Sequence, residues 1–128
     1  MIGYVTLGTN DLDRAASFYD SLLAIIGATR MMEEDSFIAW ATTQEAPSIA
    51  VTRPYDGQPA TIGNGVMVAL AVDSVELVGK LHAQAIELGG VDEGAPGQRG
   101  EGGFYAGYFR DLDGNKLNAF CMVDSTSS

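Results

Sequence analysis

Apolar residues recur along this chain with two periods, and the switch between them marks out the elements. Ala15, Phe18, Tyr19, Leu22 and Ile26 follow the spacing of a single helical stripe. Asn10-Asp11 stands ahead of that stripe as a helix cap, and Asp11 and Asp13 place carboxylates at the positive end of the helix dipole. A second stripe, Leu77, Val78, Leu81, Ala85 and Leu88, follows Asp73-Ser74, and Asp73 with Glu76 has the spacing of a capping box. The two helices are expected to stop at Gly27 and at Gly89-Gly90, with Gly27 and Gly90 in the left-handed position past the last turn.

Around these helices lie short apolar or alternating runs of strand length. Ile2 to Gly8, Ala28 to Glu33, Phe37 to Thr42 and Ser48 to Arg53 surround the first helix; Val66 to Val72, Val91 to Glu93, Phe104 to Arg110 and Lys116 to Met122 surround the second. The predicted order is βαβββ, twice. Tyr4 and Met67, Asn10 and Asp73, and Gly27 and Gly90 are each 63 residues apart, so three landmarks share one offset, as duplication of a structural unit produces. The fold class is α+β, a single domain of two modules, 1–54 and 65–123, with the Pro- and Gly-containing stretch 55–64 as linker and 124–128 as a short tail. Gly94 to Gly103 reads as a long Gly-rich loop, of a kind that often borders ligands.

Charge narrows the possible partners. With 17 acidic and 7 basic side chains the net charge is −10, a field that repels nucleic acid and anionic membrane and would favour a cationic ligand. No apolar run reaches the ~20 residues of a membrane span, and the first residues lack the basic segment of a signal peptide. Cys121 is the only cysteine, so no internal disulfide can form; the expected location is the cytoplasm.

One stretch carries a recognisable motif. Phe-Arg-Asp-Leu-Asp-Gly-Asn-Lys-Leu-Asn-Ala-Phe, residues 109–120, is a strand, a tight turn and a second strand, with Gly114 supplying the positive φ and Asp111, Asp113 and Asn115 able to bond back to their own backbone. This run resembles the last hairpin of the vicinal oxygen chelate superfamily, which includes glyoxalase I, ring-opening dioxygenases and the bleomycin and fosfomycin resistance proteins. The resemblance implies two βαβββ modules whose curled mixed sheets surround a cavity, with helices outside. It also locates the family's metal-ligand positions, which fall at Tyr4, Met67 and Asn118, with Ala50 or Thr52 for the fourth. Phenol, thioether and amide do not make a site for Zn, Ni, Fe or Mn, whose protein ligands are imidazole, carboxylate or thiolate. No metal and no cofactor are therefore expected.

Other reactive side chains offer little chemistry. His82 is the only histidine and is expected on the helix surface, away from the cavity, rather than as a base or ligand. Cys121 is expected to pack beneath a helix as a small hydrophobe, with nothing basic beside it. No catalytic residue is assigned. Tyr4, Trp40, Arg53, Met67, Tyr105, Tyr108 and Asn118 are expected to line one small-molecule cavity, drawn from strands of both modules. Each has a plainer reading: Tyr4 and Met67 as packing in place of a metal, Trp40 in the core or a dimer interface, Arg53 as a surface ion-pair partner. Arg110 is expected to pin the Asp-Leu-Asp turn. Three functions follow: a binder of a small organic molecule, aromatic or cationic; an enzyme with lyase, isomerase or dioxygenase chemistry in the same cavity; or a structural module whose cavity is filled. A homodimer is expected, because open curled sheets leave edges to cover.

Overall fold

Each half of the chain folds as a strand, a helix and three further strands, in the order the two periodicities predict. The computed structural model describes residues 1–123; the tail expected over 124–128 lies outside the described residues. The first half contains β1 (Tyr4–Gly8), α1 (Leu12–Leu23) ending in a 3₁₀ turn, β2 (Thr29–Glu33), β3 (Phe37–Ala41) and β4 (Ser48–Thr52). The second contains β5 (Val68–Ala71), α2 (Val75–Glu87), β6 (Val91–Gln98), β7 (Phe104–Arg110) and β8 (Lys116–Met122). The sheets run β1-β4-β3-β2 and β5-β8-β7-β6. In both, the first strand pairs parallel with the last and the remaining ladders are antiparallel. The same topology twice is the structural form of the shared offset.

Local chemistry sets the helix ends, with two departures from expectation. Asp11 caps α1, its carboxylate accepting from the Arg14 N–H at 3.1 Å. At α2 the cap is Ser74, which accepts from Leu77 N–H at 3.2 Å, instead of the Asp73–Glu76 box. Ser74 is one residue closer to the first helical turn, so its hydroxyl reaches the free amide. The left-handed residue after α2 is Gly89 rather than Gly90. Gly90 is needed for a different reason: a Cβ there would lie 2.6 Å from the Arg110 carbonyl and 2.8 Å from that of Ala85.

Each helix covers one face of its own sheet and leaves the other face open. Leu7, Ile38, Trp40, Ile49 and Val51 of the first sheet pack under α1; Phe109, Leu117, Ala119 and Cys121 of the second pack under α2. The helices touch, so both packed layers join in one apolar core. His82 belongs to this layer and not to the helix surface. It is 9% exposed, edge-on to Phe109, and its Nε2 lies 2.9 Å from Asp92 Oδ1 at the start of β6.

The Asp-Leu-Asp-Gly-Asn turn ties the halves together. Asp111 Oδ2 accepts from the Tyr19 hydroxyl on α1 at 2.6 Å, while its Oδ1 accepts from the Asp113 and Asn115 amides at 2.9 Å. Asn115 Nδ2 donates to Gly8 O at 2.9 Å, and Asp113 Oδ1 accepts from Asn10 N–H at 3.0 Å. Arg110 Nη1 donates to Gly114 O at 2.8 Å, which holds the turn from within. Gly114, at φ 91°, supplies the left-handed backbone the turn requires.

Candidate functional site

The residue alternation that buries one face of each sheet presents the other to solvent, and that second face carries the clefts. In the first sheet the open face has a floor of small residues, Ala39 and Ala50, beneath larger side chains. Tyr4, Phe37, Met31, Met32, Ser48 and Glu34 are among those around a cleft of about 630 Å³. Tyr4 is 62% exposed and meets Phe37 edge-to-face, with centroids 6.1 Å apart. At the second sheet, Arg110 and Lys116 form a cleft of about 590 Å³ with Ile62 to Met67, the end of the linker and the start of the second module. Tyr108 and Asn118 face each other across β7 and β8 beside it.

Within one chain these two faces do not close on each other. The first cleft is lined by residues of the first module alone; the second by the linker and second module. Tyr4 therefore stands apart from Met67, Tyr108 and Asn118, and the expected single cavity is two clefts.

Of the seven expected site residues, four lie at an open face: Tyr4 on the first sheet, Tyr108 and Asn118 on the second, and Met67 just before β5 beside the second. Asn118 is only 1% exposed, and its Oδ1 has no hydrogen-bond partner among the described residues. An unmade bond at a buried amide oxygen costs about 1–3 kcal/mol, so this acceptor is notable. Trp40 is not on an open face. It is 1% exposed, packs on Tyr19 with centroids 5.6 Å apart, and donates its indole N–H to Asp20 Oδ1 at 2.8 Å. Tyr105 is on the helix side with Cys121, its register partner, and packs against the core. Arg53 follows β4 at the surface, its backbone N–H bonded to Ser36 O.

Sequence reasoning missed several groups. Phe37, Met31 and Met32 line the first cleft, and Lys116 and Arg99 sit over the Tyr108 ring, at 5.6 and 5.4 Å from its centroid. Lys116 was findable: it lies two residues before Asn118 and shares its face by the strand period. Arg99 was hidden because Gly94 to Gly103 reads as a loop, whereas β6 runs through Gln98, with bulges at Asp92/Gly94 and Gly94/Gly97.

The donor set at the positions that the resemblance implies for metal ligands does not fit a transition metal. Tyr4, Met67 and Asn118 offer phenol, thioether and amide, and Tyr4 is on the other sheet from the remaining two. Among the described residues, no three His, Cys, Asp or Glu side chains cluster as metal ligands. The acid–base shifts lie elsewhere. The Tyr19 phenol is raised well above its usual value by burial, reinforced by the Asp111 carboxylate. The Asp20 carboxyl is lowered chiefly by its bonds to the Arg30 guanidinium, at 2.9 and 2.7 Å. Neither group opens to a cleft.

Comparison with known proteins agrees with this architecture. The family profile of the Glyoxalase/Bleomycin resistance protein/Dioxygenase superfamily matches residues 1–119. A glyoxalase/bleomycin resistance protein from Albidiferax ferrireducens is 36% identical, with 94% of this chain and 98% of that one covered and a TM-score of 0.85. A hypothetical protein from S. aureus is 25% identical over 94% of this chain and 92% of that one, TM-score 0.72. A lactoylglutathione lyase from Agrobacterium tumefaciens, 18% identical over 94% and 92%, TM-score 0.67, shares the fold alone. No curated protein matched the sequence.

Proposed function

We propose, from the premise that this chain belongs to the glyoxalase/bleomycin resistance protein/dioxygenase superfamily, that it binds a small organic molecule without a transition metal. The observation that carries this reading is the pair of open clefts, about 630 and 590 Å³, each mixing apolar walls with a few polar tips. Clefts of roughly 300–1,000 Å³ with that character are what small-molecule sites look like. Tyr4, Met67 and Asn118 at the family's ligand positions support binding without a metal. The reading is binding rather than catalysis, because neither cleft is lined by a histidine, and Glu34 is the one carboxylate between them. Tyr4 is the contact proposed for a ligand at the first face, and Met67, Tyr108 and Asn118 those proposed at the second.

A homodimer completes the proposal. Tyr4, Met31, Met32, Val66 and Met67 are large apolar side chains left exposed. The first sheet's cleft carries Glu34 and no basic residue, while the second's carries Arg110 and Lys116. A second copy could therefore set one kind of face against the other with opposite charges opposed. The proposed location is the cytoplasm, supported by a lone cysteine that is buried. No described helix is long and apolar enough to cross a membrane.

Thermal denaturation across a library of planar metabolites and antibiotics tests the binding reading. A ligand at a hundred times its Kd stabilises by about 2.7 kcal/mol, enough to raise Tm by several degrees. The rise should shrink when Tyr108→Ala is compared with the parent. A library that leaves Tm unmoved throughout would count against binding.

A further inference from the structure

Acidic side chains outnumber basic ones 17 to 7, so a basic group should easily find a partner. Arg14 lies near Asp113, Arg30 bonds Asp20 and Glu33, and Arg110 bonds Glu93. Arg53 and Lys80 are exposed. Arg99 and Lys116 are half-buried, yet neither has a carboxylate within 4.0 Å among the described residues. Both stand over one ring, that of Tyr108.

The chain sets this arrangement in place. Arg99 Nη2 donates to the Ala95 carbonyl at 2.7 Å. A Cβ at Gly94 or Gly97 would come within 3.2 or 3.0 Å of the Arg99 terminal nitrogens, so any larger residue would crowd the guanidinium. Tyr108 is the cross-strand partner of Asn118, whose buried Oδ1 has no donor among the described residues. Lys116, on the same face of β8, also lines the cleft beside Met67. Strands β7 and β8, with Arg99 just past the end of β6, thus bring two cations without a carboxylate partner among the described residues, an aromatic ring and an unsatisfied acceptor together.

We propose that this face recognises a small aromatic carboxylate bearing a hydroxyl or amino group. The carboxylate neutralises Lys116 and Arg99, neither of which has a carboxylate within 4.0 Å among the described residues. The ligand's ring packs on Tyr108 and Met67, and its hydroxyl or amine supplies the hydrogen bond that Asn118 Oδ1 lacks. The overall charge of −10 favours a cation at long range, but screening confines that field, and the groups in contact set the preference. This inference rests on the small-molecule reading and narrows it to one ligand class.

Titration of the ¹⁵N-labelled full chain by NMR tests it, with 4-hydroxybenzoate, 4-hydroxybenzamide and 4-hydroxybenzylamine as matched anion, neutral and cation. The anion should saturably shift the amides of Arg99, Tyr108, Lys116 and Asn118, and bind about tenfold or more tightly than the other two. Lys116→Gln and Arg99→Gln should each weaken it by roughly the same factor, with otherwise unchanged spectra confirming an intact fold. Equal or tighter binding of the amide or amine at these residues overturns the anion assignment and leaves the small-molecule reading standing. So does binding of the anion that ignores both substitutions. Silence from all three compounds at these residues overturns the inference, while the small-molecule reading falls only if the thermal screen of the library is silent as well.

Discussion

At the scale of single residues, Asp111 is the point where the two halves of the chain meet. One of its oxygens takes the Tyr19 hydroxyl, and the other takes two amides of its own turn. A hydrogen bond to a charged group contributes about 1.5–3 kcal/mol, so Tyr19→Phe should lower stability in urea by about 2 kcal/mol while leaving the fold intact. The same residue sets an alkaline limit. The folded chain holds the Tyr19 proton more tightly than the unfolded chain, whose tyrosines release theirs near pH ~10. Its contribution is complete below that pH and declines as pH rises toward the folded value. In Tyr19→Phe, the loss of stability above pH ~10 should be shallower than in the parent; an identical slope would mean the phenol is not coupled to folding. The motif that supplies Asp111 was the most legible part of the sequence, because its turn chemistry is local. Trp40 was not legible. Both faces of β3 are apolar, Phe37 and Ala39 on one side and Ile38 and Trp40 on the other, so alternation does not say which side is inward. Only the position of α1, with Asp20 ready for the indole N–H, decides it.

Among the elements, β6 differs most from its sequence expectation. A Gly- and Pro-containing run reads as a loop, but an edge strand tolerates bulges and missing donors that a central strand does not. β6 is such an edge, fastened to α2 by the His82–Asp92 contact and to β7 by a twice-shifted ladder. The Asp92 carboxyl is lowered first by the Gly94 N–H and then by His82. Its stabilising effect is therefore present above the unfolded carboxylate range, near pH ~3.9, and is lost as pH falls through the lower folded value. Asp92→Asn should flatten the loss of stability with acidification and speed amide exchange in β6 ahead of β8. Uniform exchange across the sheet would show that the contact does not anchor the strand. At the α2–β6 junction, Gly90→Ala would press a methyl against two backbone carbonyls that cannot move aside. A loss of about 2 kcal/mol or more is expected, readable as a lower urea midpoint at unchanged slope. The order of strands and helices was legible because period and caps are local. The caps at Ser74 and Gly89 shifted by one residue from expectation, within the fraying of any helix end.

For the whole molecule, the consequence of duplication is two sheets that each leave a face uncovered. No local pattern reveals that arrangement, since it depends on the helices meeting and on the hairpin seated against Tyr19 and Gly8. The expected single cavity became two clefts for this reason. The proposed dimer would cover the exposed apolar side chains of Tyr4, Met31, Met32 and Met67, and the opposed charges of the clefts would give that pairing a direction. Sedimentation at micromolar concentration should give about twice the 13.5 kDa of one chain; a single species at the monomer mass would exclude the proposed dimer. On the proposed function, the fold serves here as a binding scaffold whose residues Tyr4, Met67 and Asn118 do not suit a transition metal. Metal content decides between this reading and a metal-dependent one. The protein is loaded with Zn, Ni, Fe or Mn, dialysed, and measured for metal per chain by mass spectrometry. Far less than one equivalent of any of them is expected. One tightly held equivalent per chain, lost on Asn118→Ala, would contradict this reading.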